Sequence, residues 1–157
     1  MLNRMRSWTA PEGWLRITAI DARTGGEPCR VITSGYPDLP GDTILARRRH
    51  AREHLDHLGT ALIWEPRGHA DTYGCIVIPP VTPEADIGVI SMHNEGYSTM
   101  CGHGIIGSCS AGRIVRTTAS GPYPAIIPEI QGTAHITGRH EFLIDPTDPL
   151  RSGFILR

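Results

Sequence analysis

The stretch MCGHGIIGSCSAG at residues 100–112 constrains this chain more than any other. Cys101 followed by Gly102, His103 and Gly104 reads as a helix start, where free backbone N–H groups point at whatever lies in front of it. Gly107, Ser108, Ser110 and Gly112 then break the helix almost at once, because glycine and serine disfavour helix interiors. The entrance to a site is kept and the helix behind it is discarded. The core must therefore come largely from other segments.

Those segments are mostly short strands. WLRITAIDA alternates apolar and polar residues and predicts a first strand, RTGGEP a turn and CRVITSG a second strand, together a hairpin. LPGDTILARRRHAREHLDHLGTALIWEP carries the one clear helix, with Asp42 as the expected N-cap and Pro66 closing the segment. Ile44, Ala51, Leu55, Leu58 and Leu62 recur at three-to-four spacing and form its apolar stripe. YGCIVIPP and IGVISMHNEG follow as short apolar strands. GRIVRTT, YPAIIPEI, GTAHITGRHEFLID and SGFILR read as further strands and turns. Many short strands with one or two helices predict an α+β fold. Residues 1–13 read as an irregular leader, and no internal repeat is visible.

A length of 157 residues suits one domain with a modest core. A net charge of −1 offers no footprint for nucleic acid or a membrane surface. The run ARRRHAR is answered by Glu53 and Asp56 and reads as a solvated helix face. All 15 basic residues are arginine, so this chain cannot form a lysine Schiff base or supply the lysine of a phosphate-binding loop. No segment is apolar and long enough for a signal peptide or a bilayer span. Cys29, Cys75, Cys101 and Cys109 lack paired metal-ligand spacing and are expected as reduced thiols in the cytoplasm.

Three constellations could carry chemistry. At Cys101, a helix start with His103 beside it would favour the thiolate, and the N–H groups of Gly102, His103 and Gly104 would hold a carboxylate. A thiolate so placed could take the α-proton of an amino acid. A buried cysteine in a glycine turn fits the same residues. EPRGHADTYGC gathers Glu65, Arg67, His69 and Asp71. It reads either as an arginine–carboxylate pair orienting a site residue or, the preferred reading, as a loop held by its own salt bridges. His50, His54 and His57 have metal-like helical spacing, but they lie at the polar edge of the apolar stripe, so no metal site is assigned.

Taken together, IDARTGGEPCRVITSG, GDTILARRRHAREHLDHL, WEPRGHADTYGC and MHNEGYSTMCGHG resemble the proline racemase family, which includes proline racemases, 4-hydroxyproline epimerases and trans-3-hydroxy-L-proline dehydratases. GRIVRTT through ITGRHEFLIDPTDPLRSGFILR resembles the family's C-terminal segment. The resemblance implies a diaminopimelate epimerase-like fold of two lobes, each a mixed sheet around a central helix, with the substrate between them. It implies no cofactor and no metal. It also implies Cys101 as the first-lobe base, His103 near the ring nitrogen, and Gly102, His103 and Gly104 as the carboxylate cradle.

The family is about twice as long, and the segment bearing its second catalytic residue has no counterpart here. Residues 14–106 resemble the N-terminal part of the first lobe, and 107–157 resemble a C-terminal segment returning to that lobe. The two are joined near Ile105 to Ser108. Cys109 belongs to the later segment and is not the second catalytic cysteine. HNEGY ahead of the cysteine motif favours trans-3-hydroxy-L-proline dehydratase as the parent activity, while CGHG leaves epimerase or racemase close behind. With one cleft wall gone, the chain is expected to be impaired as an enzyme and marginally stable. The alternatives are a non-catalytic remnant that binds a full-length relative and a thiol hydrolase using Cys101 and His103; the latter lacks an orienting third group. The expected partners are a proline-type small molecule and a second copy or a full-length relative.

Overall fold

The computed structural model describes residues 6–99, 101 and 109–156. Alternation in the N-terminal segment produces β1 (Leu15–Thr24) and β2 (Glu27–Ser34), paired antiparallel from Thr18↔Ser34 to Thr24↔Glu27. The two residues between them are Gly25 and Gly26, with φ of 57° and 99°. A two-residue hairpin turn of this kind needs positive φ at both central positions, which glycine adopts without steric cost. The predicted hairpin is therefore present.

The single predicted helix is two helices. The first, α1, spans Ile44–His54, and the second, α2, spans Asp56–Ile63. Leu55 separates them at φ −125° and ψ 15°, and its carbonyl accepts from the amides of Leu58 and Gly59 and from the Tyr36 hydroxyl. Asp42 is not the N-cap. Thr43 takes that role, its Oγ1 accepting from the Ala46 amide at 3.1 Å. Ala51, Leu58 and Leu62 are buried as the stripe predicts, with Ile44 and Leu55 packed at its margin.

The run ARRRHAR is only partly a solvated face. Arg47 donates to the carbonyls of Gly41 and Pro79, at 2.8 and 2.7 Å, and Arg48 donates from Nε and a terminal nitrogen to the Tyr97 carbonyl. Two of these arginines thus tie α1 to the backbone around it, at Gly41, Pro79 and Tyr97. Arg52, paired with Glu53 at 3.7 Å, stays exposed.

After the helices, β3 (Tyr73–Ile78) lies parallel to β2, so the helical pair is the crossover between them. The strands β4 (Gly88–His93) and β5 (Gly96–Tyr97) continue antiparallel beyond β3. Two long strands follow, β6 (Cys109–Ser120) and β7 (Tyr123–Gly132), paired with each other in a separate two-stranded sheet. Finally β8 (His135–Ile144) returns to β1, paired antiparallel from Leu15↔Ile144 to Arg23↔His135. The main sheet has the order β5-β4-β3-β2-β1-β8 and is mixed. This is the predicted α+β class. SGFILR contributes one bridge, Phe154 to Glu65, rather than a strand.

One face of the main sheet presents Ile17, Ala19, Ile32, Ile76, Ile90 and Met92 to Leu58, Ala61, Leu62 and Ile63 of α2. Those sheet residues are at most 2% exposed. Part of the predicted leader also joins the fold, since Ala10 is buried and its carbonyl accepts from Arg16 at 3.0 Å. Among the described residues, no helix is long and apolar enough to cross a membrane.

Gly35 follows β2 at φ 81°, and a Cβ there would lie 2.0 Å from the Arg16 carbonyl oxygen. Backbone strain and overpacking each cost about 1–3 kcal/mol. Gly35→Ala is therefore expected to lower unfolding free energy by about 2–4 kcal/mol, read from the urea midpoint.

Candidate active site

Cys101 is a free, partly buried thiol four residues beyond Tyr97, the last residue of the MHNEGY turn, and it is not helical. The backbone is an extended strand again from Cys109. The predicted cradle, Gly102, His103 and Gly104, and the predicted junction near Ile105 to Ser108 lie outside the described residues.

The described neighbour of Cys101 in the main sheet is Cys75. Cys75 sits on β3 opposite Val31 of β2 and Ser91 of β4. Cys29 lies on the same face of β2, two residues before Val31, and both side chains are buried and reduced. The Cys75 thiol is held well above the usual thiol range by its hydrogen bond with Cys29, by burial, and by the charges that Cys29 and Cys101 would carry on ionising. Cys101 therefore lies within electrostatic reach of Cys75, while Cys29 in turn feels the Asp21 carboxylate. The Cys29 and Cys75 thiols went unassigned in the sequence because a buried cysteine in a strand looks like any small apolar residue.

The HNEGY turn ahead of Cys101 is fixed by its backbone. Trp64 donates from Nε1 to the Asn94 carbonyl at 3.0 Å, and the Glu95 amide donates to His93 Nδ1 at 3.2 Å. A cavity of 410 Å³ opens between this turn and the helices, lined by Arg48, Arg52, Asp56, Trp64, His93 and Glu95 among others. Two arginines face two carboxylates there, so the cavity has no dominant charge. Cys101 is not among its lining residues.

Beneath the turn, the Tyr36 and Tyr97 hydroxyls meet at 3.4 Å. Burial raises the pKa of both phenols above the ordinary value of 10.0, as the largest cause in each case, and the charge Tyr36 would carry raises Tyr97 further. A folded pKa above the unfolded one means that the contribution is fully present below pH 10 and is lost as pH rises through the folded values. Unfolding free energy is expected to fall above about pH 10, and Tyr97→Phe is expected to flatten that fall in urea titrations.

The EPRGHAD loop is not held by salt bridges among its own members. The Arg67 guanidinium donates to the carbonyls of Leu143 and Arg151, each at 3.2 Å. The His69 amide donates to Thr72 Oγ1, and His69 Nδ1 accepts from the Asp71 amide. One Glu65 carboxylate oxygen is buried without a hydrogen-bond partner among the described residues.

The buried arginine–carboxylate pair lies elsewhere. Arg30 on β2 grips Asp21 on β1 through two bonds, Nε to Oδ1 at 2.9 Å and Nη2 to Oδ2 at 2.7 Å. Its Nη1 donates to the carbonyls of Leu62 and Arg67, at 2.6 and 2.5 Å. Its guanidinium carbon stands 4.3 Å from the Phe142 ring centroid. His140 Nε2 adds a 3.4 Å contact to Asp21. This one side chain joins β1, the end of α2, the loop and β8. Sequence reasoning missed it because an arginine between Cys29 and Val31 resembles the solvent-facing position of an alternating strand.

His50 and His54 stack with ring centroids 4.4 Å apart. Among the described residues, no group of three or more His, Cys, Asp or Glu side chains is arranged to hold a metal.

A family model described as proline racemase matches residues 19–109 and 103–155. A trans-3-hydroxy-L-proline dehydratase of Bacillus thuringiensis subsp. konkukian is 58% identical over 95 residues, 60% of this chain and 28% of that protein. A 3-hydroxyproline 2-epimerase of Burkholderia multivorans is 54% identical over 95 residues, with the same shares. The matched stretch is thus less than a third of these relatives' length. Among solved structures, a hydroxyproline epimerase from Agrobacterium vitis with bound trans-4-OH-L-proline aligns with a TM-score of 0.49 at 24% identity, over 53% of this chain and 25% of that one.

Proposed function

Because the chain belongs to the proline racemase family, we propose that Cys101 is the base of one wall of a site that removes the α-proton of a proline derivative. Gly102, His103 and Gly104 hold the substrate carboxylate in this reading, and no cofactor takes part. The match of the family model on both sides of the cysteine motif carries the proposal. The Cys75 thiol within reach of Cys101 supports it, since its hydrogen bond with Cys29 and its burial keep it neutral.

The parent reaction is dehydration of trans-3-hydroxy-L-proline. The base takes the α-proton, the electron pair forms a carbon–carbon double bond to C3, and the 3-hydroxyl leaves as water on receiving a proton. The epimerase at 54% identity beside the dehydratase at 58% keeps epimerisation as the second reading. In both, the first matched segment and β8 of the second form a single diaminopimelate epimerase-like lobe, with the β6–β7 ribbon outside its sheet. The proton donor of the opposite wall has no counterpart in the chain, which leaves it impaired.

Two measurements on the folded chain test this. In D₂O, the α-proton of trans-3-hydroxy-L-proline should exchange at a trace rate that disappears in Cys101→Ala, while L-proline and trans-4-hydroxy-L-proline stay unchanged. The same compound should slow alkylation of Cys101 by iodoacetamide, mapped by mass spectrometry. Exchange that survives in Cys101→Ala, or the absence of both exchange and protection, would overturn the assignment.

A further inference from the structure

His50 and His54 lie one helical turn apart on α1, and the structure brings their rings together. The rings stack with centroids 4.4 Å apart and planes 17° from parallel. Two imidazole nitrogens on one zinc-sized ion, each about 2.1 Å from it, stand at most ~4.2 Å apart, so the rings already hold close to a chelating separation. The tautomer of one ring is also set. His54 Nδ1 lies 3.2 Å from the His50 carbonyl. A carbonyl can only accept, so Nδ1 carries the proton and the lone pair of the neutral ring is on Nε2. Metal-binding histidines are held in this way, the ring nitrogen away from the ion donating to a carbonyl. His54 is exposed and His50 half-buried, so solvent ions reach the pair. His57 does not belong to it. The break at Leu55 puts His57 in the first turn of α2, where it lines a separate cavity with Gly13 and Leu15.

We propose that His50 and His54 form a two-histidine site for a borderline divalent cation of the nickel, copper and zinc class, with water completing its shell. Imidazole suits these ions, and histidines spaced i, i+4 on one helix face grip them. Charge sets the strength. His54 is the last residue of α1, and the partial negative charge of a helix C-terminus favours a cation there. Arg49 and Arg52 oppose it, although Arg52 is answered by Glu53 at 3.7 Å and Arg48 is drawn to the Tyr97 carbonyl. Two protein ligands among these charges make a weaker site than the four of a structural zinc centre. A bound ion cross-links the last turn of α1 just before the chain breaks at Leu55. It takes no part in the reaction proposed for Cys101, and the inference does not depend on that reaction.

Calorimetric titration of the untagged chain with nickel chloride tests it. One equivalent should bind. His50→Gln and His54→Gln should each weaken binding at least about tenfold, the loss that changing even a residue behind a metal ligand brings. His57→Gln and Cys101→Ala should leave it within about twofold, as distant sites do. Nickel at about ten times its Kd should lower the unfolding equilibrium constant of the parent chain about tenfold, and that of either glutamine variant by about twofold or less. Circular dichroism confirms that each variant is folded. No binding below about 1 mM nickel, or binding indifferent to both glutamine substitutions in α1, would overturn the proposal. So would binding lost equally in His57→Gln, or lost in Cys101→Ala, which would place the ion on the thiol.

Discussion

Arg30→Met is expected to leave the chain unfolded at room temperature. The substitution keeps an apolar stem but removes the guanidinium, which strands the Asp21 carboxylate, 23% exposed, and frees the buried carbonyl of Leu62. Removing one partner of a buried ion pair typically costs 3–5 kcal/mol, because the remaining charge has lost both water and its counter-ion. Whole domains are stable by only about 5–15 kcal/mol, and this one leaves Ile114 and Ile126 of its ribbon exposed. Asp21→Asn should cost less, since an amide oxygen still accepts one guanidinium bond. Far-UV circular dichroism and urea titration decide the matter. An unchanged midpoint in Arg30→Met would mean that solvent reaches Asp21 and that the pair contributes little.

Turnover of trans-3-hydroxy-L-proline by the purified chain is expected to lie at least ~10⁴-fold below that of a full-length dehydratase assayed alongside. A general acid or base contributes about 10²–10⁴-fold, and in the proposed reading the second one has no counterpart in the chain. Holding the substrate between two walls and excluding water add further factors that one wall cannot supply. The assay follows loss of the 3-hydroxyproline signals by NMR. A rate within about 100-fold of the full-length enzyme would mean that this chain, alone or paired, provides its own proton donor.

The features that could be read from the sequence were those with local causes. The β1–β2 hairpin is written in two glycines that the turn requires, and the buried stripe of the helices in their spacing. The break at Leu55 left no such mark, because the residue fits the stripe on either side of it and the kink depends on partners as distant as Tyr36. Thr43 displaced Asp42 as the cap since both are good capping residues one position apart, and packing chose between them. Arg30 was hidden for the opposite reason. Its role depends on carbonyls 32 and 37 residues away, and no local pattern encodes those. Cys101 stands out by its glycines and its family likeness, and its role as the base is the proposal above, whereas the pairing of Cys29 and Cys75 depends on the register of β2 and β3. That the ribbon stands apart from the main sheet was likewise illegible, because strand propensity does not specify a strand's neighbours.

The pairing of β8 with β1 also fixes an order of events during synthesis. Leu15 meets Ile144 and Arg23 meets His135, so the first strand of the sheet acquires its outer neighbour only when the last is made. At roughly 5–20 residues per second on the ribosome, that interval is about 6–24 s. Throughout it, β1 offers an open edge of backbone donors and acceptors to any extended segment nearby. The nascent chain is thus most vulnerable to mispairing before the ribosome passes residue 144, and translation rate alone should alter how much of it reaches the native sheet.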